Sequence, residues 1–144
     1  MVASSFGPPA AAKPFLTVGG NPAPIPAVDE LAAYCMDAAL ECAAAATNCA
    51  DAFIRRDGSR AAALPCVRSC WNCGDLCLST ARILGKRRER DSIVVRAAVE
   101  ACRTACLVTA EACDRHADEL LNCAATAKAA RRCAAACTRL IERL

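Results

Sequence analysis

From Ala27 to the C-terminus, alanine, cysteine and other small apolar residues recur three, four, seven and eleven positions apart, with charged residues filling the intervals. At about 100° per residue, separations of four, seven and eleven return a side chain to within roughly 40° of its starting direction. Each such stretch reads as an amphipathic helix with one apolar stripe, and no period-two alternation argues for a strand.

The stripes are marked by cysteine. Cys35, Cys42 and Cys49 lie on the first, Cys66, Cys70, Cys73 and Cys77 on the second, Cys102, Cys106 and Cys113 on the third, and Cys123, Cys133 and Cys137 on the fourth. Helices are predicted at about 27–54, 65–86, 91–116 and 119–143. Asp29 and Glu30 suit the positive end of the first helix dipole, and Pro65 suits an opening turn, where its missing N–H goes unneeded. Asp57-Gly58-Ser59 supplies a turn, and Asp91 or Ser92 caps the third helix. The inward line of that helix reads Val95, Ala98, Cys102, Cys106, Thr109, Cys113 and His116. The fourth reads Cys123, Thr126, Ala130, Cys133, Cys137, Ile141 and Leu144. Long helices with short connections predict an all-α protein, an antiparallel up-and-down four-helix bundle with a Cys-lined core.

Residues 1–26 break this pattern, since they hold six of the seven prolines and three of the six glycines. They are expected to form an extended, partly disordered N-terminal arm, leaving 27–144 as the bundle domain.

Composition changes the picture of the core. In 144 residues, 56% are hydrophobic but only 3% aromatic, because alanine and cysteine dominate. Small side chains let helices approach closely, yet they fill little space, so bound metal is a candidate filler. The net charge of +3 is mild and scattered. Only Lys86-Arg87-Arg88-Glu89-Arg90 is concentrated, and interruption by Glu89 and Asp91 makes it a solvated interhelical loop. A nucleic-acid partner is not expected. No run approaches the roughly 20 apolar residues that span a bilayer, and no leader is evident. A cytoplasmic protein without a membrane partner is expected, and its thiols would stay reduced.

Side chains at i and i+4 on a helix have Cβ atoms about 5–6 Å apart, whereas a disulfide requires about 3.5–4.5 Å. Within one helix, cysteines at that spacing are poor disulfides but good clamps for a metal ion. Cys66 with Cys70, Cys73 with Cys77, Cys102 with Cys106, and Cys133 with Cys137 are such pairs. Fourteen residues from Cys35 to Cys49 rise about 21 Å, so the thiols form a column rather than one site.

Charge bears on the choice of metal. Zinc held by four thiolates carries a net charge of −2, which is costly among alanines. Cu(I) is soft and shares bridging thiolates near one-to-one, giving an almost neutral core with multiple ions per chain. One or two of these cysteines would pass as small buried hydrophobes; thirteen on facing stripes point to metal. All thirteen, together with His116 three residues beyond Cys113, are candidate ligands. A buffer for zinc or another thiophilic metal, limited to about three ions at four thiolates each, is one alternative. A structural or interaction module stapled by disulfides between helices is another.

Other constellations carry less. Cys70-Trp71-Asn72-Cys73 has dithiol spacing but falls mid-helix, and Met36 points about 100° off the stripe. Asp37, Glu41 and Asp51 also lie off it, and no catalytic set converges inward, so no enzymatic activity is expected.

CVRSCWNCGDLC in the second helix, EACDRH at the end of the third, and NC with RRCAAAC in the fourth resemble the cysteine-rich four-helix-bundle copper storage proteins. The likeness extends over residues 27–144. It implies a cytosolic-type store for many Cu(I) ions, assembled as a homotetramer; because buried copper has to leave again, a copper donor or acceptor protein is a further expected partner. Carried over by motif, CxxxCxxCxxxC falls on Cys66, Cys70, Cys73 and Cys77, and CxxH on Cys113 and His116, at the bundle mouth. Thr109, Thr126 and Ala130 stand where such proteins often have cysteine, implying a lower capacity or a gapped column. The proline-rich arm departs from the family pattern.

Overall fold

A computed structural model describes residues 26–56, 61–86 and 92–144. Residues 1–25 of the expected arm, the Asp57-Gly58-Ser59 turn, the Asp91 cap and residues 87–90 of the charged run lie outside the described residues.

The chain forms helices α1 (Val28–Arg56), α2 (Leu64–Leu84), α3 (Ser92–Asp114) and α4 (Leu121–Ile141), with a 3-10 turn at Ala61–Ala63. In α1, Asp29 and Glu30 occupy the first turn and Arg55 and Arg56 the last, so both ends complement the helix dipole. Pro65 sits in the opening turn of α2. Neither α2 nor α4 has a side-chain N-cap, so tertiary packing sets where they begin.

Each helix packs on two neighbours, α1 on α2 and α4, and α3 on the same two. Sulfur contacts give the direction. Cys35 meets Cys137 and Cys49 meets Cys123, so moving forward along α1 is moving backward along α4. Cys66 meets Cys113 while Cys77 meets Cys102, and the same holds for α2 and α3. The result is the antiparallel four-helix bundle with cysteines lining its core.

One end of the core is sealed by Leu31, Leu84, Val95, Val99 and Leu140, all buried. Two expected inward positions are corrected here. Val99 rather than Ala98 completes the stripe of α3, and Leu140 is fully buried where Ile141 is half-buried and Leu144 is 36% exposed. The stripe steps alternately by four and three residues, as at 95, 99, 102, 106, 109 and 113, and this mean period of 3.5 selects positions 99 and 140. Leu140→Ala is expected to cost the metal-free protein about 2–5 kcal/mol, read as a lower urea midpoint with an unchanged slope.

Small residues set the helix spacing elsewhere. A Cβ on Gly74 of α2 would come within 3.4 Å of Thr47 Oγ1 on α1, so the two helices touch there. The buried Thr80 donates its hydroxyl to the Ala98 carbonyl at 3.2 Å, tying α2 to α3. Outside, Arg132 pairs with Glu41 and Arg131 with Asp114, solvated contacts of small energetic weight. No described helix is long and apolar enough to cross a membrane.

Candidate metal centre

All thirteen cysteines are free thiols and buried, twelve of them completely. The alternation that makes each stripe brings the four stripes together on the bundle axis, so sulfurs from different helices meet. Cys42 lies 3.6 Å from Cys73 and 3.8 Å from Cys106, and Cys77 lies 3.6 Å from Cys102 and 3.7 Å from Cys106. Cys102 is 3.8 Å from Cys133. Towards the opposite end, Cys113 lies 3.7 Å from both Cys66 and Cys70, and Cys49 lies 3.4 Å from Cys123. These are contact distances, far above the roughly 2.05 Å of a disulfide, so the cross-helix pairings needed for a disulfide-stapled module are not formed.

Three groups have all their sulfurs within 4.8 Å of one another: Cys42, Cys73, Cys77 and Cys106; Cys77, Cys102, Cys106 and Cys133; and Cys49, Cys66, Cys70 and Cys113. The first two share Cys77 and Cys106, and so form one continuous cluster. Cys35, Cys123 and Cys137 fall outside these foursomes but extend them by contact, Cys35 to Cys137 at 3.6 Å and Cys123 to Cys49. The i,i+4 clamp is visible in Cys73 and Cys77, 3.9 Å apart. Cys70 and Cys73, the dithiol-like pair, are both fully buried within α2 and turn to different partners.

His116 is not in any of the four-sulfur groups. Helix α3 ends at Asp114, and His116 sits in the turn that follows, at the end of the bundle opposite Leu140. Its ring meets Phe53 edge-on at 5.4 Å between centroids. Its Nδ1 is buried without a hydrogen bond, 3.6 Å from a Glu119 carboxylate oxygen. Arg56, the last residue of α1, donates to the Glu119 carbonyl and so fastens this turn to α1. Neither the Phe53 packing nor the Arg56 contact has a periodic signature by which sequence could have found it.

The thiols polarise one another. Cys106, Cys137 and Cys77 are pushed up from the ordinary thiol range, each first through its hydrogen bond with Cys102, and Cys113 through Cys49. Burial, then Cys49, raises Cys123. Cys42 and Cys102 are lowered, first by their interaction with Cys106, and Cys49 by Cys113. Within the metal-free core the raised sulfurs favour the neutral thiol, and Cys42, Cys49 and Cys102 favour the thiolate. A metal that binds thiolate must displace the protons of the raised group. Cu(I) uptake at pH 7 is therefore expected to release close to one proton per ion, and binding to weaken as pH falls. Proton counting in weakly buffered titrations checks both.

The only buried polar side chains among the described residues are Thr80, Thr109 and Thr126, and no described buried cation balances a tetrathiolate of net charge −2. Geometry alone accepts any thiophilic ion, whereas charge favours monovalent ones that share sulfurs.

Comparison with known proteins agrees with this chemistry. The family described as copper storage protein matches residues 28–142. A structure of copper loading to the cytosolic copper storage protein from Streptomyces lividans, with five coppers, is 36% identical with a TM-score of 0.77, covering 81% of this chain and 97% of that one. The same organism's Ccsp loaded with 10 copper equivalents is 37% identical, also with a TM-score of 0.77, covering 86% and 94%. A point mutant of Ccsp gives 36% identity and a TM-score of 0.74, over 78% and 93%. No curated protein matches significantly. A family match over nearly the whole bundle, together with the sulfur-lined axis, places this chain in the copper storage protein family.

Proposed function

We propose that this protein stores Cu(I) as cargo, held by all thirteen core cysteines, and does not act as a catalyst. The observation that carries this reading is the set of three buried four-sulfur groups in a core without a described buried cation. Shared thiolates around monovalent ions keep such a core near neutrality, and successive foursomes supply bridging positions along the axis. His116, beyond the Cys49 and Cys113 level at the end opposite Leu140, receives incoming ions in this reading.

The protein acts in the cytoplasm, as the similarity to a cytosolic store supports. It associates with copies of itself as a tetramer. Exposed apolar side chains, Trp71 and Leu78 one heptad apart on α2 and Leu107 and Val108 on α3, supply contact surface. Copper is exchanged with a donor or acceptor protein.

Anaerobic titration of reduced protein with Cu(I), against a chromogenic Cu(I) chelator, tests the reading. On the order of ten or more tightly held ions per chain are expected at near one ion per thiol. Saturation at three or fewer would instead fit a tetrathiolate zinc-type site and overturn storage.

A further inference from the structure

The thirteen sulfurs do not form one uninterrupted column. Following contacts from Cys35 through Cys137, Cys102 and Cys77 to Cys42 gathers eight sulfurs, including Cys73, Cys106 and Cys133. Following them from Cys123 through Cys49 to Cys66, Cys70 and Cys113 gathers the other five. Each four-sulfur group lies wholly within one set.

Between the sets, at the level of Cys70, lie Ala46, Thr109 and Thr126, all buried, with Ala130 one turn further along α4 beside the larger set. The cysteines flanking this layer are seven residues apart on α1 and α3 and ten apart on α4, separations of about 10 and 15 Å along the axis. Only Cys70 and Cys73 on α2 approach across it, and their sulfurs face opposite sets. The two hydroxyls at this level are occupied. Thr109 donates to the Ser69 carbonyl at 3.0 Å, and Thr126 is within reach of the Asn122 and Ala45 carbonyls at 2.8 and 3.0 Å. A neutral hydroxyl is a hard oxygen, poorly matched to Cu(I), and an alanine methyl offers no ligand.

We propose that this layer divides the core into two copper compartments that fill as separate clusters: an eight-thiol compartment towards Leu140 and a five-thiol compartment towards His116. This rests on the storage reading. In each compartment an entering Cu(I) forms bonds to sulfur, and the displaced thiol protons pass to solvent. Ions in one compartment share no sulfur with those in the other, so their binding free energies add with little coupling.

The test uses the full reduced chain, Cu(I) supplied as its acetonitrile complex, and a competing chromogenic chelator, with circular dichroism reporting helicity. Removing Cys66 and Cys113 by alanine substitution is expected to lower capacity by up to about five thirteenths while leaving the affinity of the remaining sites within about twofold. Should that variant lose its helicity, Cys102→Ala with Cys106→Ala gives the converse measurement, with the smaller compartment unchanged. Installing Thr109→Cys, Thr126→Cys and Ala130→Cys is expected to join the compartments. In that background, loss of Cys66 and Cys113 weakens the remaining sites about tenfold or more. Tenfold weakening already in the natural background would overturn the partition while leaving storage intact. Uptake of three or fewer ions by the unaltered chain would overturn both.

Discussion

Replacing Cys66, Cys70, Cys73 and Cys77 together by alanine is expected to remove more than half of the Cu(I) capacity, well beyond the four thirteenths that thiol counting alone gives. The reason is where α2 stands in the sulfur groups. Cys73 and Cys77 supply half of one foursome, Cys66 and Cys70 half of another, and Cys77 belongs to the third as well. With α2 stripped of thiols, no group retains more than three sulfurs. Removing Cys123, Cys133 and Cys137 from α4 is the informative contrast, because only Cys133 belongs to any foursome. That triple variant is expected to lose little more than its share of thiols. Cysteine and alanine are both small, so the lost Sγ atoms leave modest cavities and both variants keep their helices. Competitive titration of the two side by side is decisive. Equal losses per thiol would mean that copper is held without regard to these groups.

This ordering of the helices was not visible in the chain itself. The stripes were legible because cysteine recurs at helical spacing, and a four-helix bundle follows from four such stripes. Which sulfurs meet depends on the axial stagger between helices, fixed by contacts such as Gly74 against Thr47 and Leu140 against the far end of the core. Periodicity carries no information about stagger. The same limit explains the ends of the stripes. Ala98 and Val99 lie four and three residues from Cys102, and both suit its face; only packing chose the valine. His116 has the correct spacing from Cys113, yet the helix ends between them, and its position depends on Phe53 and the Arg56 contact instead. Thr109, Thr126 and Ala130 were legible as departures from the family's cysteine pattern. That Thr109 and Thr126 meet Ala46 between the two sulfur sets required the fold.

The loaded protein is expected to melt more than about 20 °C above the metal-free form, a consequence of how the core is filled. Among fully buried side chains the largest are one leucine and one valine, followed by threonines and cysteines. Each removes less apolar area from water than the leucines and aromatics of an ordinary core, so hydrophobic burial gives the metal-free bundle limited stability. Raised thiols add nothing to offset this, since a neutral S–H is only a weak hydrogen-bond donor. Cu(I) changes the balance by linkage: an ion bound only by the folded state contributes about 4 kcal/mol at a thousandfold excess over its dissociation constant. Unfolded thiols also bind Cu(I) and reduce that contribution, but they lack the preassembled foursomes. Even three or four ions at half this value exceed 5 kcal/mol, and each kcal/mol raises the melting temperature of a bundle this size by about 3–5 °C. Further ions lift the total past the stated rise. Differential scanning calorimetry of apo and anaerobically loaded protein measures it, with Zn²⁺-loaded protein as the charge control. Zinc is expected to give a much smaller rise, because a buried tetrathiolate keeps its net charge of −2. A shift below about 5 °C with copper would mean that the ions sit outside the core. The α2 variant lacking all four thiols should show the copper-dependent rise cut by at least half, tying stability to the same sulfurs that set capacity.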